Sequence, residues 1–142
     1  MASVLTLAQA NRIIAAALEA ARAKQYKAMA VVVVDAAGHL KAAQREDGAS
    51  MSRVDIATGK AWGCVSMGAT SRALWQRAQD NPVFFQSLAV THGGKFVPQT
   101  GAVPIRDAEG MIIGAVGASG GTGDEDESIC MAGVAAAGLR HE

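Results

Sequence analysis

Three histidines, His39, His92 and His141, ordinarily titrate near neutrality, so each can act as a metal or haem ligand or as a proton carrier. Their spacing pairs none of them. His39 follows a turn glycine and reads as surface, and His141 stands next to the last residue of the sequence. His92 sits in Val90-Thr91-His92-Gly93-Gly94-Lys95-Phe96, where glycines permit close approach and an aromatic ring follows. It is the histidine best placed to take a ligand, weighed against the plainer role of a structural or solvent-facing ring. Gly117-Ala118-Ser119-Gly120-Gly121 matches the G-x-S-x-G nucleophile turn. Such a serine needs a base and an acid further on, and the one later histidine, His141, has no strand to position it, so a hydrolase is set aside. The same glycines could cradle phosphate, but no Walker lysine follows. Instead Asp124-Glu125-Asp126-Glu127 put carboxylates at the positive end of a helix, stabilising it and repelling phosphate. Being consecutive, the four radiate from a helix instead of converging on a cation. Cys64 and Cys130 form no CxxC pair and read as buried, reduced thiols, with neither a disulfide framework nor a zinc site indicated.

The elements that must carry these residues follow from periodicity. Thr6 and Gln9 stand at capping-box spacing and open a helix over about residues 6–24, with Leu7, Ala10, Ile14, Ala17 and Ala21 at helical intervals. Val31-Val32-Val33-Val34 is too short for a helix and suits a strand covered on both faces. Asp35-Ala36-Ala37-Gly38 turns the chain, and a return strand ends near Arg45. Ser50 to Met67 reads as a second helix, with Ser52 and Asp55 at capping spacing. Gly59 and Gly63, four apart, mark a face where another backbone comes close; a packed helix is the simpler neighbour and a ligand the functional one. Short helical pieces over 70–79 and 82–88 precede a second hairpin, Val103–Asp107 and Met111–Gly117, which repeats the Asp-Ala-x-Gly turn. Pro104 belongs at a sheet edge or strand start, and a last helix begins near Asp124. Tight turns within each strand pair exclude a doubly wound parallel sheet and predict an α+β fold, an antiparallel sheet with helices on its faces.

A length of 142 residues suits one domain over 1–142. Thirteen basic against thirteen acidic residues leave no field to gather phosphates, which argues against nucleic acid. Half the residues are hydrophobic, yet 30 are alanine and 16 glycine, a composition for closely approaching helices and a subunit interface that completes burial. Residues Met1 to Leu7 lack the basic and apolar pattern of a leader, and no stretch approaches the roughly 20 apolar residues that span a bilayer. The expectation is a cytoplasmic protein with no membrane partner.

Taken in order, the motifs resemble the haem-degrading domain family that includes GlcG, HbpS and the C-terminal domain of PduO. The resemblance runs through Leu5-Thr6-Leu7, Val33-Val34-Asp35-Ala36-Ala37-Gly38-His39-Leu40, Asp47-Gly48-Ala49, Ile56-Ala57 and Lys60-Ala61. It continues through Thr70-Ser71, Asn81-Pro82, Gly101 to Asp107, and Gly114 to Gly120, closing at Asp126-Glu127. It implies a profilin-like or PAS-like three-layer domain with about five antiparallel strands, a homo-oligomer, and haem as a cofactor for binding, sensing or breakdown. Under that reading His92 would meet the iron, with Thr70, Lys60 and Arg106 as supporting polar groups. The alternative is a small-molecule enzyme or binding protein of a catabolic pathway that uses the same pocket without haem, with Lys60, Arg106 and Asp107 orienting a carboxylated substrate. A third is a non-catalytic assembly module, for which the Ala and Gly faces speak.

Overall fold

The computed structural model of the protein describes residues 3–142; Met1 and Ala2, the start of the segment examined for a leader, lie outside the described residues. In chain order the elements are α1 (Leu7–Ala23), β1 (Ala30–Asp35), β2 (Leu40–Arg45), α2 (Ser52–Met67), α3 (Ser71–Asp80), α4 (Pro82–Thr91), β3 (Ala102–Arg106), β4 (Ile112–Ser119) and α5 (Gly123–Ala136). Alternate side chains of a strand face opposite sides, and Val31 to Val34 of β1 are all fully buried. That strand therefore needs cover on both faces. Val31 and Val33 pack with Ile13 and Ile14 of α1 and Ile129 and Val134 of α5. Val32 and Val34 pack with Ala57, Ala61 and Cys64 of α2. The result is three layers, with the antiparallel sheet β2-β1-β4-β3 in the middle. Outside them, α3 and α4 enclose a smaller cluster of Leu74, Phe85 and Phe96, flanked by Trp62 of α2.

Local chemistry explains the element ends. Thr6 and Gln9 form the expected capping box on α1, and Thr122 and Glu125 form another on α5. The two Asp-Ala-x-Gly turns are built alike. Asp35 Oδ1 accepts from the N–H groups of Ala37 and His39 at 2.9 and 3.0 Å, and Asp107 Oδ1 from those of Glu109 and Met111 at 3.0 and 2.9 Å. Gly38 and Gly110 close them at φ of 82° and 83°, where a glycine is favoured.

Three expectations are corrected. Ser52 does not cap α2: the cap position is Met51, which has no side-chain bond, and the Ser52 hydroxyl lies 3.1 Å from that of Ser50. The neighbour that Gly59 and Gly63 admit is the non-helical segment after α4, not a helix. A Cβ on Gly59 would fall 3.3 Å from the Lys95 carbonyl oxygen, one on Gly63 would enter the Phe96 ring, and the Val97 N–H donates to Gly59 O at 3.2 Å. Lastly, the sheet has four strands among the described residues where about five are implied. Beyond β3 there is a single bridge, in which Arg106 and Arg140 exchange backbone hydrogen bonds of 2.7 and 3.0 Å. Pro104 points its nitrogen to the same outer side two residues earlier and has no N–H to extend the ladder, as befits an edge.

Between α2 and the sheet the contact is made almost without side chains. A Cβ on Gly117 of β4 would run into the Ala57 carbonyl oxygen and come 3.2 Å from the Ala61 nitrogen, both α2 backbone. Gly117→Ala is therefore expected to destabilise the protein by about 1–3 kcal/mol. Urea unfolding measures this, and an unchanged midpoint would mean that α2 does not lie so near β4.

Candidate functional site

Two recesses flank α2. Positions Asp55, Gly59 and Trp62 share one flank by helical spacing, and Arg53, Ile56 and Lys60 the other. On the first flank a groove of about 710 Å³ is completed by His39 and Leu40 from the first hairpin and Gly94 and Lys95 from the segment after α4. Its volume falls within the ordinary range for ligand pockets. The Trp62 ring sits 2.8 Å from where a Cβ on Gly38 would be, so glycine is required there by space as well as by φ.

His92 ends α4, its N–H donating to Leu88 O at 2.8 Å. Its ring stands edge-on to Trp62, with centroids 4.9 Å apart, and to Phe96 at 5.8 Å. Its Nδ1 is buried and has no hydrogen-bond partner among the described residues. Unpaired buried polar atoms cost stability and in native proteins call for a reason. Trp62 lines the groove, so His92 is one ring removed from it, whereas the exposed His39 lines it directly. Among the described residues no group of three His, Cys, Asp or Glu side chains is placed to hold a metal ion.

The other residues singled out in the sequence have local duties. Thr70 caps α3, its hydroxyl accepting from the Ala73 N–H at 3.2 Å. Arg106 donates through Nη1 to Gly110 O at 3.0 Å and leaves Nε buried without a partner among the described residues. Asp107 is the acceptor of its turn. Lys60 is 5% exposed; its ammonium donates to Ala118 O and to Asp126 Oδ2, both at 3.1 Å. None of His92, Thr70, Lys60 and Arg106 shares a hydrogen-bond or ring partner with another, so the fold does not gather them into one constellation.

The second recess, about 490 Å³, lies at the start of α5 and is polar. Ser119 of the G-x-S-x-G match is buried here and accepts from Arg53 Nη1 at 3.2 Å; no histidine bonds to it among the described residues. The acidic run divides as a helix makes it: Glu125 caps, Asp126 turns in to Lys60, and Asp124 and Glu127, three apart, meet on Arg72. Convergence of that last pair on one partner is a departure from the expectation that all four diverge. Burial raises the Asp126 carboxyl above its ordinary pKa, against the opposing pull of the Lys60 ammonium, the Gly121 N–H and Arg53. Burial likewise pushes the Cys64 thiol up to about 12 and Cys130 well above its ordinary value, so neither offers a thiolate nucleophile near neutrality.

Trp62 and Arg53 are site residues that the sequence reading did not name, while His39, read there as surface, is exposed and lines the groove. The helical spacing of Asp55 with Trp62 and of Arg53 with Lys60 was the available signal; the walls opposite come from distant segments.

Lys60→Met strands the Asp126 carboxylate in the interior and is expected to destabilise by about 3–5 kcal/mol, while removing both charges together should recover much of that loss. Chemical unfolding of the single and double variants decides it. Because the folded pKa of Asp126 is raised, the folded state holds its proton to higher pH than the unfolded state does, and stability falls as pH climbs from 3.8 through that raised value. Asp126→Asn should remove this part of the slope.

Comparison with known proteins places the chain. No curated protein sequence matches it. Among solved structures, the PduOC complex with haem superposes with a TM-score of 0.88 at 26% identity, covering 99% of each chain. Protein ORFY of Klebsiella pneumoniae gives a TM-score of 0.87 at 28% identity, covering 97% of this chain and 93% of that one. A double mutant of HbpS from Streptomyces reticuli gives 0.80 at 30% identity, covering 95% and 88%. Over residues 5–135 the sequence matches the family model described as haem degrading protein HbpS-like, and the chain belongs to that HbpS-like family.

Proposed function

We propose that this protein binds haem in the groove between the first hairpin, α2 and the segment after α4, with His92, which stands one ring behind Trp62, supplying the imidazole for the iron once the Trp62 ring turns aside. The orphaned, buried Nδ1 of His92 carries the reading. A single histidine from the chain would be enough to hold haem iron, so no multi-residue metal cluster is needed. The residues present fit such a guest: Trp62 offers a flat apolar wall, and Lys95 a cation for a propionate. The family match and the haem complex of PduOC support haem as the guest. Bound haem would supply ligand exchange and redox chemistry at the iron; the chain would shield its face and fix its orientation. Sensing, storage and breakdown all begin with this binding step.

Self-association belongs to the proposal. Val83, Phe84 and Val90 of α4 are 73%, 50% and 82% exposed, an apolar face that the sheet does not cover. Light scattering at micromolar concentration should return a multiple of 14.5 kDa. A monomer mass would remove this part. No helix among the described residues is long and apolar enough to cross a membrane.

Titrating apo protein with hemin should give a saturable, shifted Soret band, with affinity lower by roughly tenfold or more in His92→Ala, as expected for loss of a side chain that would hold the iron. Loss in His39→Ala alone would keep the haem reading and move the ligand to His39. Non-saturable partitioning in the wild type would overturn it.

A further inference from the structure

We propose that the recess on the opposite flank of α2 is a second, haem-independent site that binds a small organic monocarboxylate through Arg53. Charge pairing sets Arg53 apart from its neighbours. Three cations face this recess: Arg53, Lys60 and Arg72. Lys60 is matched by Asp126, and Arg72 by Asp124 and Glu127. Arg53 makes no ion pair with a carboxylate among the described residues, although Asp126 feels its charge; its one side-chain hydrogen bond, from Nη1, goes to the neutral Ser119 hydroxyl at 3.2 Å. A guanidinium has five N–H donors in a planar fork that fits a carboxylate bidentately. Four of those donors remain, on a half-buried side chain at the wall of a polar recess of about 490 Å³. Behind it, the Lys60 ammonium has three donors and gives two to Ala118 O and Asp126, leaving one for a guest.

The same walls select the guest. Asp124 and Asp126 also face the recess, so one negative charge is neutralised by Arg53 while a second would meet carboxylates. This disfavours phosphate and dicarboxylates. Ile56 and Trp75 add apolar surface near the fork, so the acid that fits has a hydrophobic body. Hydrogen bonds to a charged group are worth more than neutral ones, and the recess is shaped to offer them to a single carboxylate.

The test is an amide NMR titration of the full chain, without hemin, using benzoate as probe and inorganic phosphate as comparator. Benzoate should give saturable shifts at the Ser119 and Gly121 amides, and phosphate none. Arg53→Gln should weaken benzoate by roughly tenfold or more. Arg53→Lys retains the charge without the fork and should fall between the two, which keeps the comparison available if the glutamine variant folds poorly. Hemin titration of either folded variant should be unchanged, separating this site from the groove. Absence of saturation in the wild type, equal benzoate affinity in the folded variants, or saturable phosphate binding would overturn the proposal.

Discussion

The backbone of α2 lies on the backbone of β4 with little more than methyl groups between them, and the remaining architecture is arranged around that seam. Gly117 leaves room for the Ala57 carbonyl, and Ala61, Ala102 and Ala115 fill the rest. Small side chains lose little rotamer entropy when buried, so the contact is stabilised by area and close approach and not by interlocking bulk. The opposite face is conventional by contrast: isoleucines and valines of α1 and α5 cover Val31 and Val33. A helix held this near the sheet exposes both of its flanks. One becomes the wall of the Trp62 groove and the other the wall of the Arg53 recess.

Electrostatics differ between those flanks. The groove holds an imidazole ring packed among aromatics with a nitrogen unpaired. Around the recess almost every charge is answered: Asp126 by Lys60, Arg72 by two carboxylates, the start of α5 by Thr122 and Glu125. A buried ion pair adds little net stability over a well-packed apolar pair, but losing one member is costly. Lys60 and Asp126 therefore act as a constraint that ties α2 to α5 across the end of β4, with Ser71 adding a second tie. Its buried hydroxyl accepts from the Gly101 and Ala102 N–H groups at 2.9 and 2.8 Å and donates to Ala102 O at 3.0 Å, fixing α3 to the start of β3.

What could be read from the sequence was local. The capping box of Thr6 and Gln9, the valine run and both Asp-Ala-x-Gly turns depend on residues a few positions apart, and all are present. Pro104 falls on an edge strand, as a residue without an N–H must. Distances along the chain defeated the rest. Lys60 was singled out, but its partner Asp126 is 66 residues away, and nothing nearby marks that pairing. His92 carried a legible signal in its glycines, whereas the ring it meets comes from α2. Ser52 had the right spacing for a cap, yet helix α2 begins one residue too early for that spacing to be used.

The alanine seam has a consequence for how such a protein can diversify. Ala57 and Ala61 face the sheet and can grow no larger without prising the layers apart, so those positions are frozen by geometry. Arg53, Asp55, Ile56 and Trp62 flank them on the same helix and line the two recesses, where a side chain can change with less disturbance to the seam. The helix thus works as a fixed keel with replaceable sides, and relatives sharing the fold are free to differ in what they hold against it.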